Sequence, residues 1–111
     1  DVLNIKIAKA GGLRNACKIA ALAKSSGLQV VLGTAFGIGP KIAAKLHLAA
    51  ATSGLIDAVE FTELGLHGPM LKGTQDDALS LPLDEDGCLP VPTGPGLGVE
   101  LDLQKIEAVA Q

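Results

Sequence analysis

The feature that most constrains this chain is a unit that comes round again. "VLNIKIA", Val2 to Ala8, is short, rich in branched apolar residues, and followed by the glycine pair Gly11 and Gly12. "LRNACKIAALAKS" then sets Leu13, Ala16, Cys17, Ala20 and Ala23 at helical spacing, with Arg14, Lys18 and Lys24 around the rest. "SSG" ends that helix, with Gly27 where a left-handed residue closes a final turn. "LQVVL", Leu28 to Leu32, opens the second unit. Its loop, "GTAFGIG", leads to Pro40, a natural first-turn residue, and to a helix over residues 41–52 that ends in "TSG". Gly54 and Leu55 echo Gly27 and Leu28, and residues 58–61 read as a third strand. Strand, loop, helix and glycine thus return about every 27 residues, close to the size of a βαβ unit.

A helical crossover returns the chain to the same end of a sheet, so the strands run parallel. The fold class is α/β, with residues 1–64 as a βαβαβ segment. Periodicity alone leaves a doubly wound sheet and a β/α barrel open. Beyond that segment the character changes. Five of the six prolines lie at or after Pro69. "LPLDEDGCLPVPTGPGLGVELD" cannot form a long helix. Leu79, Leu81, Leu83, Leu89, Val91, Leu97, Val99 and Leu101 still give residues 65–111 enough apolar surface to pack on a neighbour. A short helix is expected over residues 103–109.

Composition narrows the function classes. Aromatic residues make up 2% of the chain, and the nine basic residues are dispersed in a net charge of −3. Neither rings for base stacking nor a basic stripe is present, so nucleic acid is not the expected partner. Apolar runs break before membrane-spanning length, and the start lacks the pattern of a secretory leader, so a cytoplasmic location is expected. Cys17 and Cys88 are far apart and read as reduced thiols, and no zinc-type spacing occurs.

Strand parity then singles out a lysine. Side chains alternate across a strand, so Leu3, Ile5 and Ile7 share one face and Val2, Asn4, Lys6 and Ala8 the other. The first set suits burial beneath helices. In a β/α barrel the second would point inward, with Lys6 near the C-terminal mouth where barrel enzymes place their chemistry. An open sheet, covered on both faces, accommodates an internal lysine poorly. On spacing alone, a solvated strand-end amine competes with that reading. Lys9 falls on the other parity and reads as a loop cation.

"NIKIAKAGGLRNACKIAALAKSSGL" resembles the sixth strand, loop and helix of the muconate-lactonizing branch of the enolase superfamily. "VVLGTAFGIGPKIAAKLHLAAA" resembles the seventh strand, its Gly-Thr loop and a histidine-bearing helix. "VEFTELGLHGPML" resembles the eighth strand, and "DGCLPVPTGPGLGVELDLQKI" the C-terminal segment. The resemblance implies the C-terminal portion of a TIM-type barrel, strands six to eight plus an extension. It implies an enzyme that abstracts a proton from the carbon beside a carboxylate, as a cycloisomerase or a racemase or epimerase. Lys6 matches the sixth-strand lysine and is the implied acid/base. A weakly acidic carbon gives up its proton only where the developing charge is held by a metal and by cations. An amine near a metal and a second lysine, and partly desolvated, favours its neutral form.

The resemblance further implies Asn4, Gly33 and Thr34 as substrate-binding positions, with Glu63 or Glu60 as the acidic residue of the eighth strand. Three apart, those two glutamates cannot share a strand face. The Asp-x-Asp of dipeptide epimerases is replaced here by Glu-Phe-Thr-Glu, and no histidine follows the seventh strand to act as a racemase-type base. His47, within a helix, and His67, within a loop, are read as structural. The magnesium (or manganese) of the family has no ligand set in this chain: Asp76, Asp77, Asp84, Glu85 and Asp86 lie in the turn-rich tail, in no family position. The expectation is therefore a C-terminal piece of a longer enzyme, inactive by itself. Its partners would be a small carboxylate substrate, the N-terminal part of the same protein and further copies in a homo-oligomer. Two alternatives stand beside this. One is a Schiff-base aldolase barrel with Lys6 as the imine-forming residue. The other is an inactive fragment that only self-associates or docks on its missing half.

Overall fold

The computed structural model describes residues 1–34, 39–56, 59 and 84–109. Strand β1 (Val2–Ile5) is followed by a one-turn helix, α1 (Ile7–Ala10), and then by α2 (Leu13–Ser25). Strand β2 (Gln29–Leu32) leads to α3 (Gly39–Ala51), and α4 (Leu103–Val109) lies near the C-terminus. β1 pairs in parallel with β2, Val2 opposite Gln29 through Ile5 opposite Leu32. Leu55 bridges Val30 in parallel, and the Ile56 amide donates to the Val30 carbonyl at 3.2 Å. The chain after α3 therefore returns alongside β2. The three passes lie side by side in sequence order.

One departure from the sequence reading concerns β1. Its alternation predicts a strand through Ala8, whereas the strand ends at Ile5. Lys6 is still extended (φ −119°, ψ 118°), and the Ala10 amide donates back to its carbonyl at 2.9 Å. Gly11 closes the turn with φ 80°, a conformation costly for any residue with a Cβ. That closure captures Ile7 and Ala8 in α1. The periodic pattern is blind to it, because a single turn has too few residues to show a period.

α2 buries Ala16, Ala20 and Ala23, spaced i, i+4, i+7. Small side chains there let the helix lie close to the sheet. Cys17, read as part of the apolar face, is instead exposed, as is Cys88, and both thiols are free. The helix ends in a Schellman motif: the Leu28 amide donates to the Ala23 carbonyl at 2.9 Å and the Gly27 amide to the Lys24 carbonyl at 3.1 Å. Gly27 is left-handed (φ 73°), and Gly54 repeats this after α3 (φ 87°).

The core joins Ile5, Val30 and Leu32 of the strands with Ala16, Ala20 and Ala23 of α2 and Leu48 of α3. Both helices thus cover the same face of the sheet. Sequential parallel strands with their crossovers on one side curve as in a singly wound β/α arc; a doubly wound sheet would place helices on both faces. Burial of each large core side chain contributes about 1.5–3 kcal/mol. α3 differs from α2 in that it is buried nearly all round, at Gly39, Ile42, Ala43, Ala44, Lys45, Leu46 and Leu48. Among the described residues no helix is long and apolar enough to cross a membrane. The proposed third strand at residues 58–61 falls almost wholly outside the described residues.

Candidate functional site

The face of the sheet opposite the helices carries the polar side chains. On β1, Val2 and Asn4 are exposed and Lys6 is half-buried, while Ile5, of the other parity, is 4% exposed. On β2, Gln29 is exposed and Val31 half-buried, while Val30 and Leu32 are buried. The alternation in the sequence is thus reproduced as far as the strands extend. Lys6, the residue after β1, is still extended, so its side chain leaves from the C-terminal end of that strand with the parity of Asn4.

Asn4 and Gly33 meet across the two strands. Asn4 is opposite Val31, and Gly33 lies two residues further along β2. The ladder runs on to that point, because the Gly33 amide donates to the Ile5 carbonyl at 3.0 Å. A Cβ on Gly33 would coincide with the Asn4 side-chain oxygen. The glycine leaves room for the asparagine side chain, which is laid over the end of β2.

A hollow at the outer edge of β1 is lined by Asn4, Lys6, Lys9 and Ala10, with Leu3, Ile5 and Ile19 beneath. Lys9, read from the sequence as a loop cation, is in the last turn of α1 and brings a second amine to this hollow. Asn4, Lys6 and Gly33 are therefore brought together. Thr34, next to Gly33, is buried like it: it is 8% exposed and engaged in an interaction of its own. Glu60, Glu63, His67, Asp76 and Asp77 lie outside the described residues.

No group of three or more His, Cys, Asp or Glu side chains that could hold a metal occurs among the described residues. The Asp84 carboxylate is occupied locally, accepting from the Cys88 amide at 2.7 Å and the Asp86 amide at 3.1 Å, which folds the tail into a tight turn. The ligand set for a magnesium ion is thus not found among these residues.

Two residues outside the mouth carry more structure than the sequence suggests. Lys45 is 2% exposed, the largest fully buried side chain described. Its signal was available in "KIAAKLHLAAA", where it is the one Lys, Arg, Asp or Glu between Ile42 and Ala51. A buried amine must be compensated, and Lys45 is among the residues with an interacting partner. His47, read as structural, is half-buried, with Nε2 3.2 Å from the Leu97 carbonyl oxygen.

Comparison with known proteins follows the same geometry. Residues 1–106 match the family model described as enolase C-terminal domain-like. Muconate cycloisomerase 1-1 of Acinetobacter lwoffii is 39% identical over 107 residues, covering 96% of this chain and 26% of the relative. The L-Ala-D/L-Glu epimerase of Clostridium acetobutylicum is 35% identical over 100 residues, covering 90% of this chain and 26% of that protein. A crystal structure of an enolase from Thermobispora bispora complexed with magnesium and formate superposes with a TM-score of 0.78 at 32% identity, covering 96% of this chain and 24% of that one. The chain spans about a quarter of the length of these relatives.

Proposed function

The chain belongs to the enolase C-terminal domain-like family, and on that premise we propose that it forms the last strands of a catalytic barrel that removes a proton from the carbon next to a carboxylate. Among the relatives it matches are a muconate cycloisomerase and an epimerase. The observation that carries the proposal is the position of Lys6. It stands at the C-terminal end of β1, on the parity of Asn4, whose side chain lies over Gly33.

In this reading β1 and β2 are the sixth and seventh barrel strands. The rest of the protein supplies the other staves. The neutral Lys6 amine accepts the substrate's α-proton, and its ammonium form returns a proton to carbon. Asn4, with both a donor and an acceptor, orients a substrate oxygen beside it. Lys9 lends positive potential to the hollow and favours a carboxylate there. Magnesium belongs to the whole protein in this proposal, as in the magnesium-bound enolase structure; the described residues do not supply its ligands, and no step is derived through it. A homo-oligomer in the cytoplasm is part of the same proposal.

The test is solvent deuterium exchange into the carbon next to a carboxylate, in substrates including the lactone of muconate and Ala-Glu dipeptides, by the full-length protein carrying this chain. Lys6→Met should reduce exchange by about 10²–10⁴-fold, the usual worth of a positioned general base, with the fold intact by circular dichroism. Undiminished exchange in that variant sinks the proposal. Borohydride trapping of Lys6 with a carbonyl substrate, together with activity that survives chelation, would instead establish the imine-forming alternative.

A further inference from the structure

Two features 50 residues apart in sequence meet on α3. The first is a closed turn from Pro92 to Gly98. Its Gly98 amide donates to the Pro95 carbonyl at 3.0 Å. Gly98 has φ +71°, and a Cβ there would lie 2.6 Å from the Pro92 Cβ and 3.0 Å from the Gly94 nitrogen. Gly96 is also left-handed (φ +65°), and Pro92 and Pro95 have fixed φ. Only glycines fit the tight positions, and the prolines remove alternatives. The turn is therefore restricted in shape by its own sequence, and its Leu97 carbonyl is left to accept from outside the turn.

The second feature is His47. Its Nε2 lies 3.2 Å from that carbonyl; a carbonyl can only accept, so the ring N–H donates. Ala43, one turn earlier on the same side of α3, is 0% exposed, and Leu46 is 6% exposed. Leu46 lies roughly opposite Leu48, the residue that enters the core under the sheet, at about 100° per residue. α3 is thus held on two sides, one by the sheet and one where the turn docks. α2 is held on one.

We propose that the Pro92–Gly98 turn is a preformed strap that docks on α3 through His47, and that this docking holds α3 in place. His47 is a positioning residue: it acts through the Leu97 carbonyl and touches no substrate. The inference stands apart from the proton-transfer reading, because it would hold whatever reaction the mouth performs.

Amide hydrogen exchange by mass spectrometry on the full-length protein tests it without any substrate. His47→Ala should speed exchange across residues 94–101 by about 3- to 10-fold, the worth of one hydrogen bond to a locally opening segment. Exchange in α3 should speed with it, while α2 stays at its original rate. His47→Gln keeps an amide N–H donor at similar reach and should restore most of the protection. Gly98→Ala disrupts the turn itself and should open the same residues. The double variant should open them no further than the more severe single change. Unchanged exchange at residues 94–101 in His47→Ala overturns the docking. So does a rise spread equally over α2, or strictly additive effects of the two changes. Unmoved exchange in α3 overturns the claim that the strap holds that helix.

Discussion

The two faces of the β1–β2 sheet are built from the same eight residues and do opposite work. Leu3, Ile5, Val30 and Leu32 point to the helices, and three of the four are buried. Val2, Asn4, Gln29 and Val31 point the other way and remain exposed or half-buried, with Lys6 continuing their side. One face supplies the cohesion that fixes the strands; the other is free to carry groups that a core could not tolerate. A lysine is affordable at residue 6 because its neighbours in sequence, not the lysine itself, hold the strand in place.

That contrast can be broken most directly in the core. Leu32→Ala, at a site 1% exposed, should cost about 2–5 kcal/mol. Val2→Ala, at a site 52% exposed on the opposite face, should stay within about 0.5 kcal/mol. Denaturant midpoints of the two variants decide it, and comparable losses would show that the open face is packed after all. A smaller effect sharpens the comparison on the open face. Gly33→Ala forces the Asn4 side chain off its position, at about 1 kcal/mol, the scale of a displaced rotamer. In an Asn4→Ala background the same change should cost nothing measurable. Persistence of the cost there would place the strain in the β2 backbone. The smallest effect is expected furthest from either face. Lys24 donates to Ser53 at 2.7 Å, linking the ends of α2 and α3 in the open. Lys24→Ala should shift stability by less than about 0.5 kcal/mol. A larger loss in thermal or chemical unfolding would mean that this surface link, and not the shared core, registers the two helices.

Much of this was legible in the sequence, for local reasons. The glycines at 27 and 54 mark helix ends because left-handed backbone is cheap only for glycine, and both are left-handed. The helix over 103–109 is found at the residues expected. The second helix begins at Gly39, two residues before the expected start, with Pro40 in its first turn. Asn4 and Lys6 share a face because strand geometry has period two. Where a one-turn element intervened, at α1, periodicity had no purchase. Cys17 was placed on the wrong side of α2 because alanine spacing defines a narrower buried stripe than hydropathy suggests.

The sequence by itself determined the order of elements, their parallel sense, and which strand residues share a side with Lys6, because alternation, helical period and glycine punctuation are properties of short stretches. Only the tertiary structure decided that the Asn4 side chain lies over Gly33, that α3 is enclosed on two sides, and that His47 holds the Leu97 carbonyl. Those contacts join residues 29 to 50 positions apart, and no local pattern encodes a distance that exists only once the chain has closed on itself.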